Sequence, residues 1–428
     1  MNTQNAALKP IRYLAAKLKR RQPRMNAPIA LGSEAVPLKN VAHIHPPYSK
    51  AKQADEQIPV FRPSITEEEI QAVTDVMRSG WLGLGPVTAE FEKELGEAFG
   101  VEHVVAVNSG TAALHLALLL LDLQPGDEVI VPTVTFISTG HVVEYCGATP
   151  VFADVCEDTL CMNPNDVKRK ITKNTKAIMP VHYGGHPVEL DRLREIIGDR
   201  DIKIIEDAAH ACGAFYKGKQ IGGLSPATCF SFHAVKNLTC GEGGAVATNN
   251  GDWAKKLREL RWMGISKDTY VRTAHESVYA WQYWVNDLGY KYHLSDMAAA
   301  MGRVQLRRLE ENNGKRRRIA ERYNEAFNDV AWIETPPEHD DVFSSWHIYH
   351  IKTPERDRLI THLKANGVAP GVHYFPIHKH PYYAGRGARC PIAEEIWKRI
   401  LSLPMFPDMT DEQVEYVIHT VLTFNEKA

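Results

Sequence analysis

From Ile58 onward, apolar residues fall into two rhythms that alternate along the chain. One is a short, near-continuous Val/Ile run. The other is a longer stretch with apolar residues at helical spacing. The runs at 103–107, 128–132, 149–155, 176–182, 202–207, 229–232 and 245–248 are read as strands. Between them lie helical segments at 110–121, ending at Tyr145, at 165–171 and at 189–197. Strands apolar at nearly every position are covered on both faces, and strands alternating with helices make a mostly parallel sheet. Ligands of such α/β sheets sit beyond the carboxyl ends of the strands.

Ahead of this core, Thr66 and Glu69 have capping-box spacing and predict a helix through Arg78. A loop, GWLGLGP from Gly80, then leads to a helix with Phe91, Leu95 and Phe99 on one face. From Trp253 the pattern is helical, through an aromatic stretch at 279–292 to a long helix at roughly 295–328. Beyond Trp332 it reads as a smaller α+β region, with strands at 347–351 and 369–374 and helices at 356–366 and 411–423. The expected division is an extension and linker at 1–57, a large domain at 58–300 and a small domain at 301–428.

Composition narrows the function classes. The formal net charge is −2, so no bulk charge draws the chain to nucleic acid or an acidic membrane. The seven cysteines show no CxxC pair and no metal-ligand spacing, which fits reduced thiols in a cytoplasmic protein without a metal site. The longest apolar run, 112–121, carries His115 and is too short to span a bilayer. Before Met25 stand seven Lys/Arg and no acids, with Ile11, Leu14, Ala15 and Leu18 at helical spacing. A basic amphipathic helix on a membrane surface is one reading. A disordered extension, or an upstream start with Met25 as the true one, is the plainer reading. No apolar core with a cleavage site marks a secretory signal.

The candidate chemistry sits at strand ends. Apolar residues surround Lys236, and they strip solvent from an amine, lower its pKa and free it as a nucleophile for a Schiff base. Most lysines are solvated surface residues, so the neighbours must decide. After the first strand, Asn108-Ser109-Gly110-Thr111-Ala112 runs into a helix N-terminus that suits a phosphate, or is a plain capped helix start. Phe136 suits stacking on a flat ring, or core packing. Asp207 ends a strand and suits a protonated pyridine nitrogen, or a helix N-cap. His210 suits a phenolic oxygen, or a structural role, and Ser231 offers a hydroxyl just before Lys236. Each signal is weak alone; the ordered set is strong.

The segments SGWLGLGP, VNSGTAALHLAL, GDEVIVPTVTF, GATPVFADV, IIEDAAHACGA, SFHAVKN and GEGG resemble, in order, the DegT/DnrJ/StrS family of PLP-dependent sugar aminotransferases. The segments GYKYHLSD, GVHYFPIH and SLPMFPDMT look most like the branch that makes UDP-4-amino-4-deoxy-L-arabinose. The resemblance implies the aspartate aminotransferase type of fold (fold type I), with a mostly parallel seven-stranded sheet, a smaller C-terminal domain and a homodimer. It implies pyridoxal 5'-phosphate on Lys236, with Asp207 at the ring nitrogen and His210 near the phenolic oxygen. Gly110, Thr111, Ala112 and Ser231 then lie on the phosphate and Phe136 lies against the ring. Many members place Asn where Lys291 stands, reaching the partner subunit's phosphate. Trp81, His373, Tyr374 and His378 lie in segments used around the sugar; aromatic packing at an interface is their other reading. The implied reaction moves an amino group from L-glutamate to a nucleotide-linked keto sugar. A sugar dehydratase, whose members carry His in place of the lysine, and a non-catalytic family member are the alternatives.

Overall fold

The computed structural model describes residues 57–266 and 283–424. The expected basic helix and linker, with their suggested membrane contact, lie outside the described residues, as does 279–282 of the aromatic stretch.

The described chain opens with α1 (Glu67–Ser79) and α2 (Pro86–Phe99), followed by β1 (His103–Val107) and α3 (Gly110–Leu119). Then come β2 (Glu128–Pro132), α4 (Ser138–Tyr145), β3 (Thr149–Ala153), α5 (Pro164–Lys170), β4 (Thr175–Ile178), α6 (Leu190–Ile197) and β5 (Lys203–Asp207). Two short strands, β6 (Phe215–Tyr216) and β7 (Lys219–Gln220), precede β8 (Ala227–Ser231), β9 (Gly244–Thr248) and α7 (Gly251–Leu260). The C-terminal part holds α8 (Asp296–Arg307), α9 (Leu309–Phe327), β10 (Val342–Phe343), β11 (Tyr349–Lys352), α10 (Arg356–Ala365), α11 (Pro391–Ile396), β12 (Ile400–Leu403) and α12 (Asp411–Leu422).

The main sheet has seven strands in the order β1-β9-β8-β5-β4-β2-β3. The pairs β8·β5, β5·β4, β4·β2 and β2·β3 are parallel, whereas β9 runs antiparallel to both β1 and β8. Six strands thus point one way and β9 alone is reversed, which is the mostly parallel sheet expected. α3 is buried from Ala112 to Leu118, as a helix pressed between the sheet and other helices must be. A first apolar core surrounds this sheet and draws in Ile377, Tyr383, Ala393 and Ile400 from the C-terminal part. A second core gathers Ile58, Tyr323, Phe327, Tyr349, Leu363, Leu403 and Phe406.

Three expectations are corrected. The long helix is two: α8 ends and α9 begins at Arg308, whose guanidinium donates to Glu69 at 2.6 Å. The apolar stripe changes partner at that point. Leu309 still packs on the first core, whereas Ile319, Tyr323 and Phe327 enter the second. The strand expected at 176–182 stops at Ile178, because Pro180 has no N–H for the ladder; Val181 makes only a bridge to Asp207. The segment 369–374 is no strand. Pro370 likewise lacks a donor, and Gly371 alone bridges, to Ser402. Thr66 and Glu69 do form the capping box that opens α1.

Candidate active site

Loops at the carboxyl ends of the parallel strands enclose a cavity of about 350 Å³, at the small end for ligand sites. β5 delivers Glu206 and Asp207, and strand alternation sends the two acids to opposite faces. Glu206 turns away from the cavity. His182 Nδ1 accepts the Val188 N–H at 3.0 Å, so Nε2 holds the proton and donates it to Glu206 at 2.8 Å. Asp207 turns into the cavity. Its two oxygens accept from the Thr139 hydroxyl at 2.9 Å and the Ala209 N–H at 3.1 Å. Burial pushes the Asp207 carboxyl above its ordinary range; the Thr139 hydroxyl, the Ala209 N–H and the charge of Lys236 pull it back. The cavity therefore has a buried carboxylate whose hydrogen-bond partners are both neutral donors, a setting that favours a cation in front of it.

β8 ends at Ser231, and the chain turns through His233 to bring Lys236 back over the cavity. Burial lowers the Lys236 amine to about 8, against the opposing charge of Asp207. Opposite stands the start of α3. The Ser109 hydroxyl caps it by accepting the Ala112 N–H at 3.1 Å. The N–H groups of Gly110 and Thr111 have no acceptor one turn back and open onto the cavity. A Cβ on Gly110 would stand 2.8 Å from the Ser231 Cβ, so only glycine lets α3 and the end of β8 close up. Thr111 and Ser138 share a hydroxyl hydrogen bond of 2.7 Å on the same wall. Helix end, backbone N–H groups and hydroxyls make an anion cradle.

His210 lines the far side. The Gly184 N–H donates to its Nδ1 at 3.3 Å, so Nε2 carries the proton and points to the Tyr374 hydroxyl 3.2 Å away. Burial and the nearby Lys236, His373 and His182 hold its pKa well below the ordinary value. His373 is fixed by the Ser402 hydroxyl at Nδ1, 2.8 Å, and by the Tyr183 hydroxyl, which donates to its carbonyl. Phe136 is exposed on the cavity wall, edge-on to Tyr374.

Nine of the residues singled out in the sequence thus meet in one cavity: Gly110, Thr111, Phe136, Asp207, His210, Ser231, Lys236, His373 and Tyr374. Four do not line it. Ala112 is buried within α3 and its N–H is spent on Ser109. Lys291 lies with its ammonium 3.4 Å over the Trp262 ring. Trp81 sits in a separate groove between α1, α2 and α8, its indole N–H on Leu84 O at 3.1 Å. His378 is buried, clamped between the Thr133 hydroxyl at 2.6 Å and Glu394 at 3.0 Å. Sequence reasoning missed Phe61, Ser138, Thr139, His233, Glu242 and His347, all of which line the cavity. A histidine opening a strand-like run was the signal for His347; Thr139 carried none.

The cavity fits pyridoxal phosphate. Its phosphate suits the Gly110–Ser231 cradle, its ring nitrogen the Asp207 carboxylate, and its aldehyde the Lys236 amine.

The profile of the DegT/DnrJ/EryC1/StrS aminotransferase family matches residues 63–422. The spore coat polysaccharide biosynthesis protein SpsC of Bacillus subtilis is 42% identical over 375 residues, covering 85% of this chain and 96% of SpsC. A PMP-form structure of the putative sugar aminotransferase Spr1654 from Streptococcus pneumoniae superposes with a TM-score of 0.82 at 35% identity, covering 86% of this chain and 99% of Spr1654. Spr1654 has also been solved in a PLP-form. DesV from S. venezuelae gives a TM-score of 0.78 at 38% identity, covering 85% and 95% of the two chains.

Proposed function

This chain belongs to the DegT/DnrJ/EryC1/StrS aminotransferase family, and from that premise we propose that it transfers the amino group of L-glutamate to the keto group of a nucleotide-linked sugar. It is a PLP-dependent sugar aminotransferase, as its family and its structural neighbours are. The observation that carries the amino-transfer chemistry is the meeting of Lys236, Asp207 and the α3 N-terminus in one cavity, and the sugar aminotransferases among its structural neighbours support the sugar acceptor. The likeness to SpsC supports a product that enters a surface polysaccharide.

Bound pyridoxal phosphate supplies an aldehyde for imine formation and a ring that accepts electron density from a carbon losing its proton. Lys236 would hold it through Nζ. Asp207 would face the ring nitrogen and keep it protonated, the cation that its neutral partners leave unprovided. The Gly110 and Thr111 N–H groups and the Ser231 hydroxyl would take the phosphate. His210 Nε2–H would donate to the phenolic oxygen, its direction already set by Gly184. Phe136 lies where it can cover the ring, and His373 and Tyr374 where they can meet the substrate. With a pKa of about 8, roughly one Lys236 amine in ten is a free base at pH 7. Once released, that amine moves the proton from the donor's α-carbon.

The working form in this reading is a cytoplasmic homodimer. Trp284, Val285, Leu288 and Met263 are exposed and apolar beside Lys291, which supports a second copy there and a Lys291 contact to its phosphate. Among the described residues no helix is long and apolar enough to cross a membrane.

The test is the absorption spectrum of the purified chain and of Lys236→Ala, before and after L-glutamate. A band near about 410–420 nm that glutamate bleaches toward about 330 nm, absent from the variant, is expected. Its recovery with a keto-sugar nucleotide would identify the acceptor. A band untouched by any amino donor would refute the transfer.

A further inference from the structure

Among the described residues, the side-chain hydrogen bond of the Lys236 amine runs to His347, with Nζ 3.4 Å from Nε2. His347 lies just before β11, on a segment anchored at several points. The Ser345 and Ile348 N–H groups donate to Gly185 O and Gly184 O at 3.2 and 3.1 Å, and the Ser345 hydroxyl donates to His210 O at 2.8 Å. The lysine loop is tied to the same segment, since Asn237 Nδ2 donates to Ser345 O at 2.7 Å. The imidazole is buried and stacks on Phe61, centroids 5.3 Å apart and planes within 9°. Its centroid also lies 4.6 Å from that of the tilted His210 ring.

A ring buried this deeply is costly unless its polar atoms are used, and phenylalanine would fill the same space more cheaply. Nδ1 has no hydrogen-bond partner among the described residues. The polar contact of the ring is therefore the one to Lys236. An ammonium has no lone pair, so Nε2 accepts whenever Lys236 is charged. Burial opposes protonation of the ring, and so do the charged or titratable Lys236, His210, Arg316 and His373 around it.

We propose that His347 is a positioning residue for Lys236, a rigidly stacked neutral acceptor that fixes the direction in which the amine enters the cavity. An acid in its place would trap the amine as ammonium, and an apolar residue would leave it undirected. The proposal rests on the reading of Lys236 as the lysine that holds the cofactor.

The experiment compares His347→Gln, whose amide reaches the position of Nε2, with His347→Asn, whose amide stops at that of Nδ1. Full-length wild type and both variants are stripped of cofactor. Pyridoxal phosphate is then added over a range of pH, and growth of the band near about 410–420 nm is timed. His347→Asn should reload about tenfold more slowly than wild type, and His347→Gln within about threefold. Losing an acceptor for the ammonium lowers the amine's pKa, so the pH midpoint of reloading should fall in His347→Asn and hold in His347→Gln. A packing role alone would not separate the two amides by pH midpoint. Equal rates and midpoints in the two variants would overturn the proposal while leaving the lysine's role intact. A wild type that forms no Lys236 adduct would overturn both.

Discussion

Lys236→Met should stabilise the cofactor-free protein at neutral pH while abolishing its activity. The lysine titrates at about 8 in the folded chain, against an ordinary 10.5, because burial penalises the ammonium more than Asp207 rewards it. Between those two values the unfolded chain binds a proton that the folded one does not, so stability rises with pH across that window. Below about pH 8 both states hold the proton and the whole cost stands. The fall from 10.5 to about 8 corresponds to about 3 kcal/mol. Lys236 is part-buried on the cavity wall, and solvent screening there reduces that figure. Removing the ammonium also deprives Asp207 of a positive neighbour, so the net gain at pH 7 should be about 1–2 kcal/mol. Methionine adds apolar burial at every pH, which makes the pH dependence the informative quantity. Urea midpoints of cofactor-stripped wild type and variant would be compared at pH 7 and at about pH 10.5. The advantage of the variant should be larger at pH 7 by about 1–2 kcal/mol. An advantage of the same size at both pH values would refute the buried-amine argument.

Two further substitutions probe the rest of the cavity. Gly110→Ala places a methyl group 2.8 Å from the Ser231 Cβ. Overpacking of this kind costs about 1–3 kcal/mol, which should weaken pyridoxal phosphate about 5–150-fold in equilibrium dialysis with the far-ultraviolet spectrum unchanged. An unaltered Kd would mean that the phosphate lies elsewhere. Asp207→Asn keeps the Thr139 contact but removes the charge, and kcat should fall about 10²–10³-fold; activity within about tenfold of wild type would show that Asp207 does not face the ring nitrogen.

The strands and most of their chemistry were legible because they obey local rules. The parallel strands are largely apolar along their interiors, and polar residues at or just after their ends, such as Ser109 after β1 and Asp207 at the end of β5, are where the sheet opens onto the cavity. What the sequence hid depends on contacts far apart in the chain. Thr139 reads as an ordinary residue at a helix start until the sheet brings it to Asp207, 68 positions away. His378 reads like His373, five residues earlier in one aromatic segment, yet Thr133 and Glu394 hold it out of the cavity. The break at Arg308 left no Gly or Pro to mark it, because its cause is the change of packing partner between two cores.

The same distinction explains why the turn at Tyr183–Gly185 drew no notice in the sequence although much of the site hangs on it. Gly184 has φ +64° and Gly185 φ +101°, values that L side chains rarely adopt. That shape aims the Gly184 N–H at His210 Nδ1, which leaves the proton on Nε2, facing the cavity. It also turns the Gly184 and Gly185 carbonyls toward Ile348 and Ser345, which sets the segment that carries His347. A Cβ on Gly185 would stand 2.6 Å from the Ser345 hydroxyl and 2.8 Å from the Trp346 nitrogen, so the two segments close only around glycine. Two glycines with no chemistry of their own thus fix one histidine's tautomer and the other's place, and both histidines flank the amine of Lys236.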